Sequence, residues 1–419
     1  NKNLSRFVQH LINNNSYYSE MFSSLGLNPS DIQSVADLNR LPLLSKKEIR
    51  DHQQALKCEH NGKLIKYNTG GSSGEPLIFY MSMDRVSHDV AAKWRATRWW
   101  NVDIGDTEAV IWGSPIELGK QDRIKQVRDW LLRSHLIPAF DLRPESINSY
   151  LKQLQKLRPK MVFGYPSVIE QLTLAAEQQD ITLNRLGTEV VFTTSEMLYD
   201  HQRQQIEKAF NAPVANGYGA RDAGFIAHQC PAGSLHISAE HIIVEIIDEH
   251  GEPCAAGNEG EIVITHLATS GFPFVRYQTG DMGTLSPTPC SCGRGLPVLQ
   301  EVQGRSTDFI TATDGAKVHA LALIYILREI PSIEQFKVIQ LGSHQTEIQI
   351  RANSQFEDSA LQVIKTAMKQ RLGQDMQVDV VKVNHFPVTK NGKFRYVEDR
   401  TASAHLDSSM TEARQTDAQ

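Results

Sequence analysis

Residues 67–76 read YNTGGSSGEP, where Gly70, Gly71 and Gly74 are interleaved with the hydroxyls of Thr69, Ser72 and Ser73. Glycines let backbone N–H groups close around phosphate oxygens, and the hydroxyls add further donors. The loop lacks the Gly-Lys-Ser/Thr ending and the following helix of a Walker-type phosphate loop. It is flanked instead by β-like KLIKY and LIFYM, so a plain hairpin turn is the alternative reading. A second group with its own chemistry is Cys230 and His236, followed at a distance by Cys290 and Cys292. Three thiolates and an imidazole make the closed tetrahedral set of a structural zinc ion. Their spacing is not that of a zinc finger, and scattered reduced thiols are the competing reading. His228 and His241 lie near enough in sequence to stand in for His236, whereas Cys58 and Cys254 read as core or surface thiols. Three further segments are weak when taken singly. Thr279-Gly280-Asp281 makes an ordinary turn, and Thr194-Ser195-Glu196 makes a helix N-cap before LYDHQRQQIEKAF. Lys393, beside Gly392, reads as a surface cation.

The elements that must hold these residues alternate between β-rich runs and amphipathic helical patterns from about residue 100 to 220. That alternation predicts an α/β layer with a mainly parallel sheet. Expected strands are 108–112, 161–165, 189–194 and 213–218, with helical spacing at Ile147, Tyr150, Leu151, Leu154 and Leu157 and again at Leu198, Ile206 and Phe210. Ligands of such sheets collect beyond the carboxyl ends of the strands. Those ends bring Trp112, Gly113, Phe163, Tyr165, Asn216 and Gly217 to one crevice, with core aromatics as the alternative for the rings. HIIVEIID and GEIVITHL, joined by a turn-rich stretch, predict a β-hairpin and hence a β-subdomain. Beyond residue 305 the pattern gives a small α+β domain. The fold class is therefore α/β, with a large N-terminal domain over 1–305 and a small mobile C-terminal domain over 306–400. Residues 401–419 are polar without a core period and read as a disordered tail.

Bulk properties fix the setting. At 419 residues the chain exceeds what one core usually holds, and its 22% charged residues exclude a wholly disordered chain. Lys plus Arg at 43 against Asp plus Glu at 48 leaves a net charge of −5, so no global positive field recruits nucleic acid. No run of about 18 apolar residues predicts a membrane span. A cytoplasmic protein is the expectation, and the odd, sparse cysteine set argues against a disulfide framework.

Taken in order along nearly the whole chain, these motifs resemble the adenylate-forming superfamily. NNSYYSEMFSSLGLNPSDI and LPLLSKKEIR are similar to the N-terminal region of its phenylacetate–CoA ligases and capsule-biosynthesis members. The resemblance implies that Thr69, Gly70, Gly71, Ser72, Ser73 and Gly74 cradle ATP phosphates, and that Ser195 and Glu196 lie in a turn touching the nucleotide. Tyr218-Gly219-Ala220-Arg221-Asp222 is similar to the family's Tyr-Gly-x-x-Glu, which implies adenine stacking by Tyr218, contact from Gly219 and Mg²⁺ binding by Asp222. Asp281 would accept the ribose hydroxyls and Arg305 would stand near ribose or phosphate. Thr307 and Asp308 would form the interdomain hinge, and Lys393 would be the catalytic cation at the reacting carboxylate. A metal knuckle in this branch favours zinc at the Cys/His set. The chain departs from the family at Glu75, where Lys is usual, at Asp222, one methylene shorter than Glu, and at Thr307, where an acid is usual.

The reaction so implied is activation of a carboxylic acid by Mg·ATP to an acyl-adenylate, followed by transfer to a thiol of CoA or a carrier protein. Zn²⁺ would be structural, a homodimer is the expected assembly, and decoration of a polysaccharide is the context the capsule relatives suggest. Two rival functions stand beside it. One is AMP transfer to a metabolite hydroxyl, as in deazaflavin-coenzyme adenylyltransferases. The other is a noncatalytic binding protein, motivated by the three departures.

Overall fold

The computed structural model describes residues 2–58, 62–69, 77–112, 128–139, 144–305, 309–315, 317–319, 323–324, 326–327, 329–386 and 396–401. The chain divides into two compact units, the first running to Gln303 and the second beginning at Gly304.

The first unit is organised around an 11-stranded sheet. A hairpin of β1 (Ile65–Asn68) and β2 (Ile78–Met81) stands outside it, paired antiparallel with Asn68 opposite Ile78. The sheet holds β3 (Glu108–Trp112), β4 (Ser134–Pro138), β5 (Met161–Gly164), β6 (Val190–Thr194), β7 (Val214–Ala220), β8 (Gly224–Gln229) and β9 (Leu235–Ile237). It is completed by β10 (Ile242–Ile247), β11 (Glu259–His266), β12 (Phe274–Leu285) and β13 (Val298–Arg305). The spatial order is β10-β11-β12-β13-β9-β8-β7-β6-β5-β3-β4. Strands β4, β3, β5, β6 and β7 run parallel, and from β8 onward the pairing turns antiparallel. The expected parallel layer and the expected hairpin of β10 and β11 are both present, with strand ends moved by a residue or two.

Burial explains the parallel segment. MVFG of β5 and VVFTT of β6 are buried at every position, the mark of strands covered on both faces. On one face the helices Pro144–Leu157, Pro166–Gln178 and Asp200–Phe210 contribute Leu151, Leu154, Ile169, Leu172, Ile206 and Phe210 to a core shared with Val162, Val191 and Val214. On the other, Phe163, Phe192 and Ala215 pack with Ala96 of the Met83–Arg98 helix. Each fully buried Leu, Ile or Phe of these layers contributes about 1.5–3 kcal/mol. The two layers leave no room at Gly164. A Cβ built there would lie 2.4 Å from the Ile111 carbonyl oxygen of β3. Gly164→Ala is therefore expected to cost about 1–3 kcal/mol by overpacking, read as a drop of several degrees in Tm.

The N-terminal helices Lys2–Asn14 and Ser16–Ser24 bury Leu4, Phe7, Leu11, Tyr18 and Phe22 against Phe272, Phe274 and Ile264 of the antiparallel part. Leu44 then bridges to β12, donating its N–H to the Arg276 carbonyl at 2.9 Å and accepting from the Gln278 N–H at 3.0 Å. The second unit builds a four-stranded sheet from Ile333–Gly342, Gln345–Ala352, Gln377–Lys382 and Val397–Asp399, with the Ser359–Leu372 helix supplying Ile364, Met368 and Leu372 to its core. Among the described residues no helix is long and apolar enough to cross a membrane.

Candidate active site

Four segments from the large unit meet beyond the carboxyl ends of β6 and β7. At the end of β6 the Thr194 hydroxyl donates to the Gly217 carbonyl at 2.9 Å, and Ser195 takes a left-handed backbone with φ 71°. The segment is a turn, and the N-cap alternative does not hold. The following helix starts only at Asp200 and is capped by Tyr199 and Gln202. A carboxylate oxygen of Glu196 accepts the Ser167 N–H at 3.2 Å, in the first turn of the Pro166–Gln178 helix. An acid there complements the positive end of the helix, so Glu196 holds its turn against that helix.

Strand β7 carries the aromatic side chain. The Tyr218 hydroxyl donates to Asp281 Oδ2 at 2.8 Å, which brings together two residues 63 positions apart. Burial and the Asp281 charge push the Tyr218 phenol well above its ordinary value, so it stays a donor at neutral pH. Gly219 is required by close approach, because a Cβ there would lie 2.3 Å from the Gly224 carbonyl oxygen across the β7–β8 turn. Asp281 is fixed through its neighbours. The Gly280 N–H donates to Glu261 Oε1 at 3.1 Å, the Gln278 amide to Glu261 Oε2 at 2.8 Å, and the Thr279 hydroxyl to the Ile262 carbonyl at 2.7 Å.

Asp222 is 5% exposed, and its carboxylate accepts a hydrogen bond from the Tyr277 hydroxyl. Arg221 donates to the Asn68 carbonyl at 3.0 Å, tying this segment to the end of β1. There Thr69 closes the base of the glycine loop: its N–H donates to the Leu77 carbonyl at 2.9 Å, and its hydroxyl accepts from the Leu77 N–H at 2.9 Å. Gly70, Gly71, Ser72, Ser73, Gly74, Gly113, Thr307, Asp308 and Lys393 lie outside the described residues, as does the side chain of Arg305.

The residues expected at the acyl crevice divide between two environments. Trp112 stacks on Phe163 at 6.0 Å, Phe163 on Phe192 at 6.0 Å, and Phe192 reaches the His228 ring at 6.0 Å. This row crosses β7 at Gly217, which has no side chain, so Phe192 and His228 meet over it. The Asn216 backbone N–H donates to the Gln229 side chain at 2.9 Å. Tyr165, expected in the crevice, is 1% exposed and packs in the helix-covered core with Val168 and Ile169. It leaves β5 after Gly164 as the N-cap residue of the next helix, and its ring packs on Trp112 with centres 4.3 Å apart, on the helix-covered side of the sheet.

The four zinc candidates converge from β8, β9 and the segment before β13. Their ligand atoms all lie within 4.8 Å of one another, with Cys230 and Cys290 sulfurs 3.8 Å apart and Cys292 Sγ 3.2 Å from His236 Nε2. Sulfurs bound to one tetrahedral zinc at about 2.3 Å stand roughly 3.8 Å apart, so the set fits the ion. His236 Nδ1 faces the Leu296 carbonyl at 3.3 Å, which leaves Nε2 for a metal. Against the upward push of burial, hydrogen bonds from Arg294 and the neighbouring thiols bring the Cys292 thiol down to about 6. The two stand-in histidines are placed elsewhere: His228 packs on Phe225 and His241 on His88. Cys58 lies by Asn15, and Cys254 faces the Glu259 carbonyl.

Sequence reading missed the stripe of Arg85, Asp89 and Lys93 on the Met83–Arg98 helix, which looks like a solvated face. Arg85 is 1% exposed and its Nε donates to Asp89 at 2.9 Å. It also missed Glu261, the anchor of the Asp281 turn. The available signal was the four-residue spacing of opposite charges beside an otherwise apolar helix face.

Residues 132–270 match the family described as AMP-binding enzyme, and residues 310–400 the CapK C-terminal domain. The chain is 26% identical to Protein CapK of Staphylococcus aureus over 94% of this chain and 87% of that protein. It is 23% identical to the phenylacetate-coenzyme A ligase of Thermus thermophilus over 91% and 84%. The fold matches the crystal structure of 2-hydroxyisobutyryl-CoA ligase in the postadenylation state with a TM-score of 0.77, at 18% identity over 98% of this chain and 91% of that one. With the Tyr218–Asp281 pair formed and Arg221 tied to Asn68 at the base of the glycine loop, residues 132–270 carry an AMP-binding domain of the adenylate-forming superfamily. Over most of its length the chain is homologous to CapK and to the phenylacetate–CoA ligases.

Proposed function

We propose that the protein activates a carboxylic acid with ATP, releasing pyrophosphate and holding the acyl-adenylate for transfer to the thiol of CoA. The observation that carries this reading is the Tyr218–Asp281 hydrogen bond next to the tethered base of the glycine loop. Tyr218 offers a ring face to adenine, and Asp281 can accept both ribose hydroxyls while keeping its bond to Tyr218, since a carboxylate has about four acceptor sites. The glycine loop, closed at Thr69, receives the phosphates. Asp222 would hold Mg²⁺, a hard cation satisfied by one or two carboxylates with phosphate oxygens and water. The acid's oxygen attacks the α-phosphorus, the bond to the pyrophosphate oxygen breaks, and Lys393 balances the charge that develops. The Thr307–Asp308 segment is the proposed pivot that exchanges Lys393 for a surface admitting the thiol. The names of the phenylacetate-coenzyme A ligase relatives support CoA as acceptor. Cys230, His236, Cys290 and Cys292 would hold a structural Zn²⁺.

Isotope exchange between pyrophosphate and ATP tests the reading. Exchange is expected only when a carboxylate is added. Exchange without one, driven by a hydroxyl-bearing metabolite, would overturn it in favour of direct AMP transfer.

A further inference from the structure

Gln229 is the last residue of β8 and stands immediately before Cys230, a candidate zinc ligand. Both ends of its side-chain amide are engaged. The amide nitrogen donates to the Gly233 carbonyl at 2.9 Å, within a turn in which the Cys230 carbonyl accepts the Gly233 N–H at 2.8 Å. The amide oxygen accepts twice, from the Asn216 backbone N–H at 2.9 Å and from Arg203 Nη2 at 3.0 Å. Two donors at one end and a carbonyl at the other fix which end of the amide is oxygen. The Gln229 main-chain carbonyl accepts the Trp100 indole N–H at 3.0 Å. One glutamine thus joins the Cys/His knuckle, the Asp200–Phe210 helix and β7.

The bond to Asn216 stands where the ladder does not reach. Pairing of β7 with β8 begins at Gly217 opposite His228, and Gln229 itself pairs with Leu235 of β9. Next along β7 comes Tyr218, between Gly217 and Gly219, neither of which offers a side chain to hold the strand. Glycine has the most backbone freedom to lose, so hydrogen bonds along the two edges of β7 have to fix this stretch. On the β6 edge the hydroxyls of Thr193 and Thr194 donate to the Ala215 and Gly217 carbonyls at 3.3 and 2.9 Å. On the β8 edge Gln229 takes the N–H just ahead of Gly217. The demand on this stretch is strict, because Tyr218 meets Asp281 of β12 at 2.8 Å. A displacement of roughly 0.8 Å along that line would carry the pair out of hydrogen-bond reach.

We propose that Gln229 is a positioning residue for nucleotide binding: anchored on the Cys/His knuckle, it holds β7 so that Tyr218 presents its ring and hydroxyl beside Asp281. This rests on the reading of Tyr218 and Asp281 as the nucleotide pair.

The test measures Kd for ATP by equilibrium dialysis, with kcat in pyrophosphate exchange and metal per chain determined on the same samples. Gln229→Met keeps the length of the side chain and removes both ends of the amide. Its Kd is expected to rise about tenfold, the effect of one lost hydrogen bond on a site it aligns. Its kcat and metal content should stay within about twofold of the wild type, because the loss falls on binding common to ground and transition states. Gln229→Glu keeps the acceptor and is expected to bind ATP within about twofold of the wild type, a rescue that a packing role would not require. Unchanged binding in Gln229→Met, or a loss in Gln229→Glu as large as in Gln229→Met, overturns the proposal. If Gln229→Met does not fold, Gln229→Glu decides: binding like the wild type upholds the acceptor's role, and a loss of about tenfold overturns it. Protein stripped of metal and dialysed free of chelator, measured below its own Tm, is expected to bind ATP more weakly in the wild type and with no further loss in Gln229→Met. No loss in the wild type, or an equal loss in both, overturns the knuckle's part. A wild type that binds no ATP overturns the nucleotide reading and this proposal with it.

Discussion

Asp281→Ala is expected to lower kcat/KM for ATP in the exchange reaction by about a hundred- to a thousandfold. The carboxylate sits half-buried at the Tyr218 hydroxyl and is held by a turn whose amides converge on Glu261. Two ribose hydroxyls donating to it are hydrogen bonds to a charged group, each worth about 1.5–3 kcal/mol. Together they amount to about 3–6 kcal/mol, a range that spans the roughly 2.7–4 kcal/mol such a rate loss represents at about 1.36 kcal/mol per tenfold. The loss should fall mainly on KM for ATP, because the same bonds form in the ground state and the transition state. Asp281→Asn keeps one acceptor oxygen and should be intermediate. Unchanged dependence on ATP concentration in Asp281→Ala would remove this residue from the nucleotide site.

Metal removal is the second large effect. Protein purified without chelator is expected to carry about one zinc per chain, measured by elemental analysis, and to lose it with Cys292→Ser. The four candidate ligands join the end of β8 and strand β9 to the segment that leads into β13. An ion bound only in the folded state adds its binding free energy to stability. Losing one thiolate of the set should cost about 2–4 kcal/mol, or roughly 5–10 °C in Tm at the few degrees per kcal/mol of a domain this large. A folded, metal-free protein with the same Tm in excess chelator would end the zinc reading.

Much of the scaffold was legible because its signals are local. Fully apolar runs such as MVFG and VVFTT announce buried parallel strands, and the helices between them keep a clear 3.6-residue period. The cysteine and histidine set was legible as residue types, but not its closure. Nothing in the spacing of Cys230 and Cys290 reveals that β8, β9 and β13 are neighbours. Tyr165 shows the limit from the other side. An aromatic at the end of a strand reads as pocket lining, and only the reversal into the Pro166–Gln178 helix decides that it faces the core. The acids and bases of the Met83–Arg98 helix were missed for a related reason. Charged residues at four-residue spacing are usually solvated, and their burial here depends on β2, β3 and β8 closing over them, which is long-range information.

The absence of a side chain at Gly217 has a consequence for how such enzymes diverge. A methyl group there would sit 3.0 Å from the Phe192 ring and 3.6 Å from His228, wedged into the one place where the aromatic row crosses a strand without a ring of its own. Position 217 is thus a lever of a single codon. A change from glycine to alanine would press on Phe192 and His228 together, while the Tyr218–Asp281 hydrogen bond, made by the neighbouring residue and a distant strand, runs through neither ring. On the proposed function, one nucleotide substitution would alter the ring row expected at the acid and leave the residues proposed for ATP in place, so a lineage could acquire a new acid without reinventing the chemistry that activates it.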